Sequence, residues 1–446
     1  MPQTLELDDI QHFLLARTPA LAARYEFLTF DDAASGRAWL SGLVDKVGTG
    51  RSVGSASPDA RWITIAFTCD GLRVLGVSDA ELATFPDEFR QGMAARASIL
   101  GFGGTSNPDQ WLGDLASPAV HAIVILFARD IAERDRCELQ HREYLTTIPG
   151  VRVLSALNLE ALPPFDGIAR EHFGYRDRLS QPVILETGEE PTPGSGPAVK
   201  AGEFFLGYED EAGAPPPLPQ PEALTRNGSY LAYLRMEEHV AAFREFLRQQ
   251  AGAPDDQELL AAKLMGRWRS GAPLVLSPDK DDPELGGDLQ RTNDFLYKEA
   301  DPLGYRCPIG AHIRRMNPRD TAENMQRRKM IRRGGTYGPL LPEGAPDDGV
   351  ERGIAAFIGC VSLIRQFEFA MNVWVNDPKF KDLDNERDPI VGTHDGTYNM
   401  TIPKRPIRKR IKGLPAFTTI RGGVYFFLPG IKALRFLAIG GSEHVS

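Results

Sequence analysis

Residues 207–229, GYEDEAGAPPPLPQPEALTRNGS, carry no apolar period and are stiffened by proline. They read as a linker or a long surface loop. A shorter Pro/Gly-rich piece, EPTPGSGP at 190–197, lies just before them. The chain is thereby expected to divide into an N-terminal domain, 1–206, and a C-terminal domain, 230–446. Both halves mix strand and helix signals. In the first, Arg61–Phe67 alternates Ile63, Ile65 and Phe67 with polar or small residues. A turn at Asp70-Gly71 and a helical piece over Leu72–Val77 follow. Pro86–Leu100 spaces Phe89, Met93, Ala97 and Leu100 as one amphipathic helix. Val120–Phe127 suits a buried strand. In the second half, Leu231–Leu247 places Leu234, Val240, Phe243 and Leu247 on roughly one helical face. Ile354–Leu363 and Gly423–Leu428 read as strands. Phe367–Trp374 and Ile431–Ala438 read as helices. The class is therefore α+β, with mostly antiparallel sheets and helices packed on them.

The chain has 446 residues, long enough to bury a large core, including one built around a cofactor. With 51 Lys+Arg against 60 Asp+Glu it is mildly acidic, which argues against a nucleic-acid partner. Four cysteines, Cys69, Cys137, Cys307 and Cys360, make no disulfide framework and read as reduced thiols. The start, MPQTLELDDIQHFLL, lacks a basic segment followed by an apolar one, so no secretory signal is expected. No apolar run approaches the about 20 residues that cross a bilayer. The expected location is the cytoplasm, with no membrane partner and a homo-oligomer left open.

His312 stands in CPIGAHIRRMNPRD, residues 307–320. Imidazole is the commonest metal ligand and often the proximal ligand of haem iron. Arginines near it, Arg314 and Arg319 among them, have the forked geometry that grips carboxylates such as haem propionates. The bland alternative is a loop histidine in a basic segment. Asp177, in HFGYRDRLSQP, is flanked by Arg176 and Arg178. It is either a surface ion pair or a carboxylate able to shuttle a proton. The basic runs Arg327–Arg333 and Lys404–Lys412 read as solvated faces or as contacts for anionic groups. Cys307, five residues before His312, has too few companions for a structural zinc.

Taken together, these segments resemble the dye-decolorizing peroxidases. The resemblance runs from Asp9-Ile10-Gln11 through Ile63–Val77, Pro86–Gly101, Leu179-Ser180-Gln181-Pro182 and Gly266–Leu274. It continues through Cys307–Arg319, Arg332–Pro339, Arg365–Phe369 and Gly422–Ala438. It implies two ferredoxin-like α+β domains with haem b held mainly by the second. It implies that His312 is the proximal iron ligand and that Asp177 is the distal carboxylate. The distal arginine falls at Arg332, with Arg333 the close competitor. The implied activity is peroxide reduction coupled to oxidation of a phenolic or dye-like donor, with electrons passing through surface aromatics. Tyr337 and Trp374 are candidates for these, the alternative for each being a packed aromatic. The implied roles are proton transfer by Asp177 and charge stabilisation by Arg332.

Two departures from the family pattern matter. GYRDR stands where the family has GxxDG, so Arg178 replaces a glycine beside Asp177. That predicts a weakened proton acceptor and keeps open a haem-carrying protein with little turnover. Ile354-Ala355-Ala356-Phe357 stands where the family commonly has Leu-Leu-Phe, so Ala356 is expected to leave a roomier distal pocket. His172 reads as structural.

Overall fold

A computed structural model describes residues 4–15, 21–52, 62–164, 167–177 and 179–441. Its centre is one eight-stranded antiparallel sheet. The strands are β1 (Ala22–Phe30), β2 (Trp62–Phe67), β3 (Ala122–Ala128), β4 (Val151–Glu160), β5 (Ser229–Glu238), β6 (Ile331–Tyr337), β7 (Gly353–Cys360) and, after the two-stranded ribbon β8 (Met400–Ile402) and β9 (Lys409–Ile411), β10 (Thr418–Leu428). The helices that matter below are α1 (His12–Leu15), α2 (Ala33–Ser41), α3 (Ile131–Thr146), α4 (Val240–Gln250), α5 (His312–Met316) and α6 (Ile431–Ala438).

The strand order is β4-β1-β3-β2-β10-β5-β7-β6. Split at β2/β10, each half has the same internal order: its fourth strand, then its first, third and second. With α2 and α3 as crossovers in the first half, this is the β-α-β-β-α-β arrangement of a ferredoxin-like unit. The two units join edge to edge at Phe67 and Phe427. The free edges also meet: Thr336 Oγ1 on β6 donates to the Glu160 carbonyl on β4 at 2.6 Å. The sheet is thus curled, and its inner face is an aromatic cluster. Tyr233 packs on Phe27 at 5.2 Å and on Phe357 at 5.0 Å between ring centroids. The outer face carries helices α2, α3 and α6 on the first unit. On the second unit it borders a cavity.

Several local expectations change. Residues 231–238 form strand β5 rather than the start of a helix, and α4 begins only at Val240. The segment YLAYLRM is buried on both faces, and a continuous apolar run matches helical spacing as readily as strand spacing. The helix expected over 86–100 breaks at Gly92, whose φ of +77° ends the first turn. The helix around Phe367–Trp374 is π-helical over Leu363–Glu368 and Ala370–Asn376. Such widened turns are rare and cluster at functional sites. The stretch 207–229 is anchored, with Tyr208 buried and its hydroxyl donating to Asn227 Oδ1 at 2.7 Å. None of the four cysteines forms a disulfide, and all are buried. No helix among the described residues is long and apolar enough to cross a membrane.

Candidate active site

The cavity has a volume of about 600 Å³ and is bordered by His312, Asp177, Arg332 and Arg319 together. That size suits a cofactor-scale ligand, for which pockets run to roughly 300–1,000 Å³. Leu234, Met236, Ile358, Met371 and Trp374 give it apolar walls.

His312 opens the short helix α5. Its Nδ1–H donates to Asp388, at 2.9 Å to Oδ2 and 3.1 Å to Oδ1, which leaves Nε2 as the ring nitrogen for the cavity. Asp388 is fully buried and also accepts from the backbone N–H groups of Ile390 and Val391 at 2.9 and 3.0 Å. Burial opposes its charge, yet the neighbouring His312 and these donors outweigh burial and hold the carboxyl below its ordinary 3.8. An ionised carboxylate behind Nδ1 fixes the tautomer and aims the ring. Met316, four residues on, borders the cavity beside His312, as i,i+4 positions on a helix should.

Arg314 corrects an expectation, because it does not border the cavity. Two residues along a helix from His312, it points to the opposite side. Its guanidinium is buried, paired with Asp301 Oδ2 at 3.0 Å, donating to the Cys307 carbonyl at 2.6 Å and stacked 4.3 Å over Tyr297. It holds the loop before α5. Arg319 does reach the cavity. It adopts a φ of +50°, a left-handed conformation that costs a non-glycine residue about 1–2 kcal/mol. Stacking 3.8 Å over Phe295 and hydrogen bonds to the carbonyls of Asn293 and Phe295 hold it there.

Arg332 and Arg333 are separated by strand parity. Arg332, Gly334 and Thr336 share one face of β6, and Arg332 pairs in register with Ile358 on β7. The Leu179–Pro182 segment docks beside it: Gln181 Oε1 accepts from the Arg332 N–H at 3.0 Å, and the Ser180 carbonyl accepts from Arg332 Nη2 at 2.5 Å. Arg333 also borders the cavity, but its guanidinium is taken up by the carbonyls of Phe13 and Leu14 on α1, at 2.8 Å each. Ala356 lies opposite Gly334 and borders the cavity, whereas Phe357 is buried in the aromatic cluster inside the sheet. Both members of the Ala356–Gly334 pair are small.

Asp177 borders the cavity from the loop 167–177, its N–H donating to the Ala169 carbonyl at 3.1 Å. Arg178 lies outside the described residues, so its expected effect on Asp177 has no structural counterpart. His172 is buried, with Nε2–H donating to the Tyr337 carbonyl at 2.9 Å, and burial pushes its imidazole down to about 4. It is a neutral, structural ring. Tyr337 and Trp374, read as either electron-transfer candidates or packed aromatics, are packed, at 3% and 5% exposed. Tyr337 donates to Glu351 at 2.8 Å inside the fold, so neither lies at the surface.

Sequence reasoning missed two residues. Asp388 lies 76 positions from His312, and nothing in NERDPIVG marks it. Lys329 sits in a run read as a solvated face, yet it borders the cavity. Among the described residues its Nζ has no hydrogen-bond or ion-pair partner. Burial, with Arg319 and Arg332 nearby, pushes it down to about 8.

These residues fit a haem. A lone imidazole cannot hold a metal by itself, and among the described residues no cluster of three or more His, Cys, Asp or Glu could. Haem brings its own equatorial ligands and needs one axial imidazole, apolar walls and cations for its carboxylates. No family model matches the chain. A dye-decolorizing peroxidase of Exidia glandulosa is 30% identical over 97% of this chain and 87% of its own length. The chain belongs to the dye-decolorizing peroxidase family. Peroxidase 2 of Mycetinis scorodonius is 29% identical over 97% of this chain and 87% of its own length. A fungal DyP-type peroxidase from Auricularia auricula-judae superposes with a TM-score of 0.85 at 27% identity, covering 98% of this chain and all of that one. The chain is accordingly a haem peroxidase that reduces hydrogen peroxide and oxidises dye-like and phenolic aromatic donors.

Proposed function

We propose that this dye-decolorizing peroxidase binds haem b through Nε2 of His312, with Asp177 and Arg332 acting on peroxide. The observation that carries the reading is the His312–Asp388 pair, whose remaining nitrogen is left for a large apolar-walled cavity. Bound haem supplies the iron that accepts the oxidising equivalents of peroxide. Everything else is asked of the chain. Asp388 keeps Nδ1 protonated, so Nε2 stays a lone-pair donor. Asp177 takes a proton from one peroxide oxygen and returns it to the other, so that water leaves. Arg332, held by Ser180 and Gln181, opposes the negative charge that develops on peroxide. The apolar walls exclude bulk water and strengthen both interactions.

Arg319 and Lys329 are the proposed partners of the haem carboxylates, in place of Arg314. A hydrogen bond to a charged group contributes about 1.5–3 kcal/mol. Lys329→Met is therefore expected to weaken haem binding roughly tenfold or more, read by competition with apomyoglobin. Unchanged affinity would place the carboxylates elsewhere. The cytoplasm remains the proposed location; four buried cysteines with no disulfide among them support it.

The reading is tested by adding haemin to the apoprotein, recording the visible spectrum, and adding peroxide and then a dye. A Soret band that moves with peroxide and returns as the dye is bleached is the expected result. A Soret band that peroxide leaves unmoved would make the chain a haem carrier. No Soret band would remove the cofactor.

A further inference from the structure

Glu238 ends a row on β5 that is otherwise apolar. Leu234, Met236 and Glu238 alternate along the strand and all border the cavity. Glu238 is 4% exposed, and its Oε2 has no hydrogen-bond donor among the described residues. The group it meets is another carboxyl, that of Glu171. Glu171 stands six positions before Asp177 on the same loop, and its two oxygens accept the N–H groups of Phe173 and Tyr175 at 2.8 and 2.7 Å.

Two buried carboxylates cannot touch while both are ionised; one proton must lie between them. The donors decide where. Glu171 already accepts two backbone N–H groups and lies within the field of Arg269, which is itself tied to Glu258 at 2.8 Å. Glu238 has only the nearby His172 backbone N–H to favour its charge and, against it, the charges of Glu171 and Asp177. Burial raises both carboxyls, and Glu238 the further because of the charge of Glu171. Tyr175, buried beneath Arg269 with its ring 5.2 Å from the guanidinium, adds no charge at neutral pH. His172 is neutral. The proton therefore sits on Glu238 and is donated to Glu171.

The cavity has a use for it. Reducing hydrogen peroxide to two waters takes up two electrons and two protons. An aromatic donor oxidised at the protein surface gives up its electrons to the protein and its protons to solvent. The protons must then come in by a route of their own. Within the peroxidase reading above, on which this rests, we propose that the Glu238–Glu171 pair is a proton store that resupplies Asp177. Asp177's own take-and-return of a proton releases the first water with no net uptake. The two protons the overall reduction needs go to the second oxygen as it is reduced to water. Glu238 O–H supplies them to it by way of the Asp177 carboxylate, directly or through water, the pair regaining each from solvent. Both glutamates act through Asp177 and are positioning residues.

The first arm of the test needs no haem. Infrared spectra of the apoprotein at neutral pH should show a protonated-carboxyl stretch that shifts in D₂O and is lost in Glu238→Gln. Absence of the band, its survival in Glu238→Gln, or its appearance only after a chelator has removed a bridging cation overturns the proposal. Folding is checked alongside. A carboxyl raised in the folded state opposes folding once pH exceeds its unfolded value, so Glu238→Gln should melt no lower than the parent at pH 8. The second arm uses the haem-loaded enzyme. Glu238→Gln is expected to lower dye turnover about tenfold at alkaline pH and to shift its pH profile, less than the ~10²–10⁴ that a group touching the reacting atoms supplies. An unchanged rate and profile overturns the relay. A parent protein that loads no haem fails the peroxidase reading itself, a result distinct from a band missing in the apoprotein.

Discussion

His312→Ala is expected to leave a folded protein that develops no Soret band with haemin. Asp388→Asn should keep a band but bind haem, or turn over peroxide, 10–100-fold more weakly, the usual range for a carboxylate behind a metal-bound imidazole (about one to two decades). The difference between the two follows from geometry. His312 is the imidazole at the cavity, and its loss removes the ligand outright. Asp388 never reaches the cavity; it sets the tautomer and aim of the ring through bonds of 2.9 and 3.1 Å. Asparagine keeps the size and can still accept from Nδ1–H, but it brings no charge. Binding should therefore weaken and not vanish. The same pair sets an acid limit. The Asp388 carboxyl is held below its ordinary 3.8 in the folded chain, so its ionisation contributes stability that is fully present above that value. That contribution is lost as pH falls below it. The parent should release haem and unfold over this acid window, while Asp388→Asn, lacking the titration, should be less stable at neutral pH and less sensitive to acid. Equal haem affinity in parent and Asp388→Asn would detach the carboxylate from the site.

What the sequence made legible follows the range of the physics involved. Ile354–Leu363, Gly423–Leu428 and Ile431–Ala438 show themselves through local apolar period, and each is close to the element observed. His312, Asp177, Arg319 and Arg332 were found by motif, and they do converge on one cavity. The failures are non-local. Arg314 shares the segment of His312 and Arg319, but two residues along a helix from His312 is the opposite face. Residues 231–238 resembled a helix because nothing local distinguishes a strand buried on both faces. Asp388 and Lys329 gain their roles only when segments far apart in the chain close around the cavity. Lys329 in particular looks like one more charge in a basic run until Arg319 and Arg332 are seen beside it.

The choice between Arg332 and Arg333 gives the last large contrast. Arg332→Leu is expected to slow the reaction with peroxide on the order of 10²–10³-fold, as loss of one positioned donor to a developing anion does. It should leave the Soret band in place, because Arg332 is one of several cations near Lys329 and not the iron ligand. Arg333→Leu should do the reverse. Its guanidinium ties the carbonyls of Phe13 and Leu14 to β6, and two such charged bonds contribute a few kcal/mol at most (each about 1.5–3 kcal/mol). Its removal should lower the melting temperature by several degrees and leave the rate with peroxide within about twofold, since those two carbonyls hold its guanidinium although it too borders the cavity. Stopped-flow mixing of each haem-loaded variant with peroxide, beside a thermal melt, reads both quantities. A rate loss in Arg333→Leu with none in Arg332→Leu would mean that β6 presents its other face to peroxide. Peroxide would then meet Arg333 on the side of the cavity that Phe13 borders, and the docking of Ser180 and Gln181 on Arg332 would serve the fold alone.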